Sequence, residues 1–253
     1  MRSMKTMLAA LLIAVPAVAA QADSADVAAA VAASGRPADA VKLDESRKPA
    51  EVLGFLGLEE GDRALDLFTG TGYYAEIIGR AVGPGGAIVA WEPVNFYDDA
   101  GKKNWAELAG RVPNASIVVS TAADLSLPPA SFDFVMLHLN YHDAYWESEQ
   151  YKFPRMDPDA FVRSIFAATK PGGIVGVIDH AAAPGGDTRA VVETLHRIDP
   201  AVVRADFERA GFVLDGQSDL LRNPADDHSK LVFDPAIRGK TDRFVYRFRK
   251  PAA

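Results

Sequence analysis

The stretch ALDLFTGTGYYAEIIGR, residues 64 to 80, sets one acid, Asp66, inside an apolar run that breaks at Gly70 and Gly72 and resumes with helical periodicity. Glycines let a backbone turn tightly and approach a ligand closely. The first turn of the helix that follows leaves its amides free. A second acid, Glu92, closes the next apolar run, 20 residues beyond Gly72. An acid at that point can accept hydrogen bonds from both hydroxyls of a ribose. The chemistry this implies is recognition of a nucleoside-bearing cofactor. GTGYYA (70–75) satisfies the dinucleotide pattern G-x-G-x-x-A. Asp66 weighs against a dinucleotide, because an acid beside the turn repels a pyrophosphate and suits a ligand carrying an ammonium group.

These residues need strands that end together and helices that start beside them. RALDLF (63–68) is a short apolar run bounded by turns, as a buried strand requires. YYAEIIGRAV reads as a helix closed by GPGG (83–86), AIVAWE (87–92) as a second strand, AGKKNWAELAGRV (100–112) as a helix and ASIVVS (115–120) as a third strand. SFDFVMLHL (131–139) is a fourth strand. DPDAFVRSIFAATK (157–170) is a helix with Asp157 as N-cap and Pro158 in its first turn, stopped by PGG. IVGVID (174–179) is a fifth strand, and DPAVVRADFERAG (199–211) repeats the Asp-Pro helix start. This alternation predicts an α/β fold of parallel βαβ units with helices on both faces. FVLDGQSD (212–219) and DRFVYRFRK (242–250) break the rhythm and predict a closing antiparallel strand beside the one starting at Phe212. One domain over residues 46–253 follows, preceded by an Ala-rich lead-in over 23–45. Ligands of such sheets sit outside the carboxyl ends of the strands.

With these elements in order, ALDLFTGTG resembles the first motif of class I S-adenosylmethionine-dependent methyltransferases, an acid followed by alternating glycines. WE (91–92) is similar to that family's second-strand acid and AADLSLP (122–128) to its third-strand loop. SFDFVMLHL resembles its fourth strand, ATKPGGIVGVID (168–179) its Lys-Pro-Gly-Gly turn and fifth strand, and AGFVLDG with FVYRFRK its closing pair. The resemblance covers roughly residues 46 to 250 and implies a Rossmann-like, mostly parallel sheet with a closing antiparallel strand. It implies S-adenosyl-L-methionine as cofactor, with Asp66, Thr69, Gly70 and Gly72 at the methionyl end, Glu92 on the ribose, and Asp124 with Ala123 at the adenine. One departure is Phe68, which stands where many members have the first glycine and is expected to narrow the methionine pocket. NYHD, VIDH, LHRIDP, LRNP and FDPAIRGKTD also resemble a group of bacterial methyltransferase-like proteins that carry a secretion signal.

Methyl transfer from a sulfonium needs an aligned nucleophile, exclusion of water and, for some acceptors, a base. Groups for this are expected after the fourth and fifth strands. LNYHDAYWESEQYKFPRM (139–156) offers Asn140, Tyr141, His142 and Asp143, with His142 as general base and Asp143 orienting it. Tyr141, Tyr145, Trp146 and Tyr151 either wall an apolar substrate or pack the loop down. His180 and Asp179 end the fifth strand and face the same cleft. His196 and Arg197 follow, with Asp199 as a helix cap. The connection 221–244, with Arg222, Asp226, Asp227, Arg238 and Lys240, either covers the site or forms a solvated hairpin. His142, His180 and His196 have no metal-ligand spacing, so no metal is assigned. No G-x-S-x-G turn supports a catalytic serine.

Composition narrows the remaining choices. The 253 residues carry 27 Lys+Arg against 34 Asp+Glu, a formal charge of -7, which gives no general field for a nucleic-acid backbone. There is no Cys, which excludes disulfides, thiolate catalysis and Cys-ligated zinc. Arg2 and Lys5, the apolar run Met7 to Ala20 and small residues up to Ala22 form the pattern of a cleaved signal peptide over residues 1–22. The expected location is periplasmic or secreted, with no stable membrane anchor after cleavage. The acceptor is expected to be a small molecule, and nothing in the sequence fixes the oligomeric state. Two rival readings stand beside the enzyme: a non-catalytic ligand-binding protein on the same fold, favoured by export away from the cytosolic cofactor supply, and an NAD-dependent oxidoreductase, weakened by Asp66 and by the antiparallel ending.

Overall fold

A computed structural model of the chain describes residues 24–252. The expected signal peptide lies outside the described residues. The chain begins with four short helices, α1 (Val27–Ala32), α2 (Ala38–Val41), α3 (Asp44–Arg47) and α4 (Pro49–Leu56). Then follow β1 (Arg63–Leu67), α5 (Tyr73–Ala81), β2 (Ala87–Pro93), α6 (Asp99–Arg111), β3 (Ala115–Ser120) and β4 (Phe132–His138). A single 3-10 turn, Tyr141–Tyr145, leads to α7 (Pro158–Ala168), β5 (Thr169–His180), α8 (Thr188–Leu195), α9 (Pro200–Ala210), β6 (Val213–Ser218) and β7 (Arg243–Arg249). No helix among the described residues is long and apolar enough to cross a membrane.

The seven strands form one sheet in the order β3-β2-β1-β4-β5-β7-β6. β1 to β5 run parallel, and β7 is antiparallel to both β5 and β6. The chain order reverses between β1 and β4, which opens a crevice at the carboxyl ends of those strands. Helices cover both faces. Val52, Leu53, Leu56, Ile77, Ile78, Trp105 and Leu108 fill one side. Phe161, Ile165, Phe207 and Phe248 fill the other, with the Phe207 and Phe248 rings stacked at 4.6 Å.

The expected elements are present, with differences that have physical causes. The closing strand does lie beside the strand after Phe212, and it also inserts between that strand and β5. α7 ends at Ala168 rather than at Lys170, since a residue before proline is pushed out of the helical region. Thr169 therefore already begins β5. α8 escaped the sequence reading because only Val192 of it is buried, too little for an apolar period. The lead-in is tied into the same body: Val27 and Ala30 join the core, and Asp44 takes two bonds from Arg36 and one of 2.7 Å from the Tyr73 hydroxyl.

The connection between β6 and β7 is anchored from below. Arg197 is fully buried and grips Asp226 through two hydrogen bonds of 2.8 and 3.0 Å. It also donates to the carbonyls of Ala181 and Lys230. Removing one partner strands a buried charge. Asp226→Ala is expected to lower the unfolding free energy by about 3–5 kcal/mol, read by urea denaturation.

Candidate active site

Asp66 is on β1 and Glu92 on β2, and both are almost out of water, at 3% and 5% exposure. Burial, the largest influence, pushes each carboxyl up to about 7. Asp66 accepts 2.6 Å from the Thr69 hydroxyl, whose own amide donates to the Trp91 carbonyl. Thr69 thus fixes the acid and the turn together. Glu92 accepts 2.7 Å from the Gly70 amide. A Cβ on Gly70 would meet nothing within 4 Å, so that backbone faces open space. Gly72 is a glycine for another reason: a Cβ there would lie 2.4 Å from Leu108, so its bareness serves α6 packing. Phe68 holds a left-handed φ of 54° and turns its ring onto Trp91, Phe153 and Phe161. The position asks for glycine conformationally, at a cost of about 1–2 kcal/mol to any other residue. The ring leans on neighbouring aromatics, which puts the expected narrowing of the pocket in a different light.

Asn140 completes this end. Its amide donates to the carbonyls of Leu67 and Phe68, and its Oδ1 is buried without a partner. An orphaned acceptor at the end of β1, the acids Asp66 and Glu92 and a bare glycine backbone fit a ligand that brings an ammonium group and ribose hydroxyls. Asp124 sits exposed on the loop after β3, locked in a turn by 2.7 Å to the Thr121 hydroxyl. Neighbouring Ala123 lines a separate hollow of about 340 Å³ with Leu125 and Phe161.

His142 lies in the 3-10 turn after β4, buried, with Nδ1 2.8 Å from Asp179 Oδ1. Asp179 also accepts from the His142 and His180 amides. Asp143 Oδ1 is 3.5 Å from His142 Nε2. Burial alone would lower the imidazole, but the two flanking carboxylates outweigh it and hold it protonated, up to about 9. Burial raises Asp143 to about 6. Asp179 stays below the usual carboxylate range, because the His142 charge and its hydrogen bonds together outweigh burial. The roles expected from sequence are therefore rearranged: Asp179 orients His142, and Asp143 is the group ionised at neutral pH on the cavity side. Burial and the neighbouring His142 and arginine charges drop His180 to about 3, so it is neutral, and its Nδ1 pairs with the Thr241 hydroxyl. Tyr141 does not reach the site. Its hydroxyl donates 2.7 Å to Asp206 of α9, and its ring packs on Phe207 in the core.

Above these groups is a cavity of about 450 Å³. His142, Asp143, His180 and His196 line its polar part, and Phe96, Leu139, Trp146, Tyr151 and Phe233 its apolar walls. Trp146, expected either to wall a substrate or to pack the loop, is a wall, and so is His196. Leu139 and His196 hold left-handed φ values of 61° and 50°, so two of its walls sit on strained backbone, as at many functional sites. A larger hollow of about 740 Å³ on the outer side of the same loop is lined by Glu147, Lys152, Arg155, Arg189 and Glu193 and contains none of these groups. No group of three His, Asp or Glu side chains with metal-holding geometry occurs among the described residues.

The family described as "Methyltransferase domain" matches residues 65–177, which run from β1 into β5. The Pasteurella multocida (strain Pm70) ubiquinone/menaquinone biosynthesis C-methyltransferase UbiE is 28% identical over 123 residues, 49% of this chain and 41% of that protein. The match thus spans about two fifths of the curated relative. A SAM-dependent methyltransferase from Aquifex aeolicus superposes with a TM-score of 0.57 at 19% identity, covering 85% of this chain and all of that one. The Burkholderia thailandensis 1,6-didemethyltoxoflavin-N1-methyltransferase, solved with S-adenosylhomocysteine, gives 0.56 at 15%, covering 84% and 80%. At such identities the likeness establishes the fold. The fold is that of S-adenosylmethionine-dependent methyltransferases, and its crevice presents two acids and a glycine turn suited to that cofactor.

Ionised carboxylates accept ribose hydroxyls and attract an ammonium; protonated ones do neither well. With Asp66 and Glu92 both near 7, affinity for S-adenosylhomocysteine is expected to rise about tenfold from roughly pH 6 to pH 8, and Glu92→Gln to flatten part of that rise. Calorimetric titration across that range measures it.

Proposed function

We propose that the chain is an S-adenosylmethionine-dependent methyltransferase acting on a small molecule whose nucleophile must lose a proton. The observation that carries this reading is Asp143, a carboxylate at the floor of an aromatic-walled cavity, against an imidazolium and on the side of the cofactor acids. S-adenosylmethionine, when bound, supplies an electrophilic methyl group. Asp66, the Gly70 backbone and Asn140 Oδ1 hold its methionyl end, and Glu92 its ribose. Asp143 takes the acceptor's proton. Protonated His142, fixed by Asp179, keeps Asp143 ionised at neutral pH and stabilises charge developing beside it. Trp146, Phe96 and Phe233 exclude water from the transfer. A cavity of this volume suits a small molecule. The Burkholderia relative, solved with 1,6-didemethyltoxoflavin beside S-adenosylhomocysteine, supports the same acceptor class. A protein that only bound a ligand would have no use for a proton acceptor held against an imidazolium.

The basic start, apolar core and small residues of 1–22 support export, with the mature chain starting at Asp23. N-terminal mass analysis of the protein recovered from the periplasm should find that start; a chain retained whole in the cytosol would overturn export alone.

Asp143→Asn is expected to lower kcat by about 10²–10⁴-fold while S-adenosylhomocysteine affinity stays within a fewfold. In the parent protein kcat should rise with pH through about 6, as Asp143 ionises. Methyl-group release from labelled cofactor, screened over small phenols, amines and acids, reads both. Undiminished turnover in Asp143→Asn would remove the base from this reading.

A further inference from the structure

Arg243, the first residue of β7, is 6% exposed, yet no carboxylate among the described residues lies within 4.0 Å of it. Among the described residues its guanidinium makes only long hydrogen bonds, 3.4 Å to the Thr241 carbonyl and 3.5 Å to that of Gly239. Adjacent Asp242 is turned away, taken by Arg222, the Asn223 amide and His228. A guanidinium carries five N–H donors and a charge that is expensive to bury unpaired. Arg47, at the end of α3, repels it and lies 4.3 Å over the Tyr73 ring, with no ion pair of its own among the described residues. The nearby acids are engaged: Asp44 by Arg36 and Tyr73, and Asp66 by Thr69. The Tyr74 hydroxyl and His138 Nε2 are both buried without partners, their rings 4.7 Å apart. Arg47 and Arg243 both bear on this pair. Two cations and an orphaned hydroxyl on one face of the sheet lack the same thing, an anion.

Arg47 and Tyr74 also bear on Asp66, but Arg243 stands on the far side of the cluster from it. Glu92 and Asp66 lie on β2 and β1, whereas Arg243 opens β7, three strands beyond β1 in the sheet, about 14 Å along. Its cross-strand partner is His180, a wall of the 450 Å³ cavity. We propose that the methyl acceptor carries a carboxylate, and that Arg243, aided by Arg47 and Tyr74, binds it behind His180. This rests on the methyltransferase reading and narrows its substrate to aromatic or apolar acids. A bidentate guanidinium–carboxylate pair satisfies two donors at once and fixes the acceptor's orientation in the cavity.

The test titrates the mature protein, with and without saturating S-adenosylhomocysteine, with benzoate and with its uncharged isostere benzamide. Benzoate is expected to bind about tenfold tighter than benzamide. Arg243→Gln should erase that preference, leaving benzamide and S-adenosylhomocysteine affinities within twofold, and Arg243→Lys should restore part of it. Tyr74→Phe, a milder change, should reduce the preference even if Arg243→Gln does not fold. Benzoate no tighter than benzamide, or a preference that survives Arg243→Gln, overturns the proposal. So does a loss of S-adenosylhomocysteine affinity in Arg243→Gln that decarboxylated S-adenosylmethionine does not share, because the carboxylate held would then be the cofactor's. Failure of the parent protein to bind S-adenosylhomocysteine, with the benzoate preference intact, would instead overturn the methyltransferase reading.

Discussion

Asp179 carries a full charge in the interior, and the geometry of the cavity beyond β4 and β5 follows from how that charge is met. Three donors converge on it: the amide and Nδ1 of His142 and the amide of His180. Two of these come from the turn after β4, so the carboxylate staples that turn to the end of β5. With His142 pinned, Asp143 has one place to go, against Nε2 and under the cavity. The strength of the staple depends on charge. It is at full strength where the imidazole is protonated in both folded and unfolded chains, below about 6.5, and fades as pH rises through about 9. At the acid end it is lost as pH falls through the depressed Asp179 value. Neutral solution lies inside that window.

The cofactor half follows the opposite logic. Asp66 and Glu92 are raised by burial, so the folded chain holds them at a cost that a bound cation and ribose would relieve. Stability is given up where binding is needed, as at many functional sites. The same holds for the backbone: Phe68, Leu139 and His196 occupy left-handed conformations that side chains resist, and they stand at the two halves of the site.

Much of this was legible in the sequence, for reasons visible residue by residue. Asp157 and Asp199 cap α7 and α9 with side-chain bonds to Ala160 and Ala201, as Asp-Pro starts predict. Strand–helix alternation set the parallel sheet, and the two acids with two glycines marked the crevice. What the sequence withheld depended on facing across space. Tyr141 and His142 are neighbours, but a 3-10 turn sends one hydroxyl to Asp206 in the core and the other ring to Asp179. Asp179 as orienting group follows only from the β4–β5 register, which sets His138 beside Ile178. Gly72 looked like a ligand residue, and its bareness also serves packing that the sequence did not show, because Leu108 arrives from a helix 27 residues further along the chain.

The strap between β6 and β7 separates two kinds of change. Arg197 and Asp226 anchor its base below the surface, while Leu231, Val232 and Phe233 at its crest wall the cavity, with Phe233 53% exposed. These crest residues line a cavity whose walls include neither the glycine turn nor its acids. Drift along the crest can therefore reshape what enters the cavity without disturbing how the nucleoside end is read. A chain that kept β1 and β2 fixed and varied the strap would present a new cavity beside an unaltered nucleoside end.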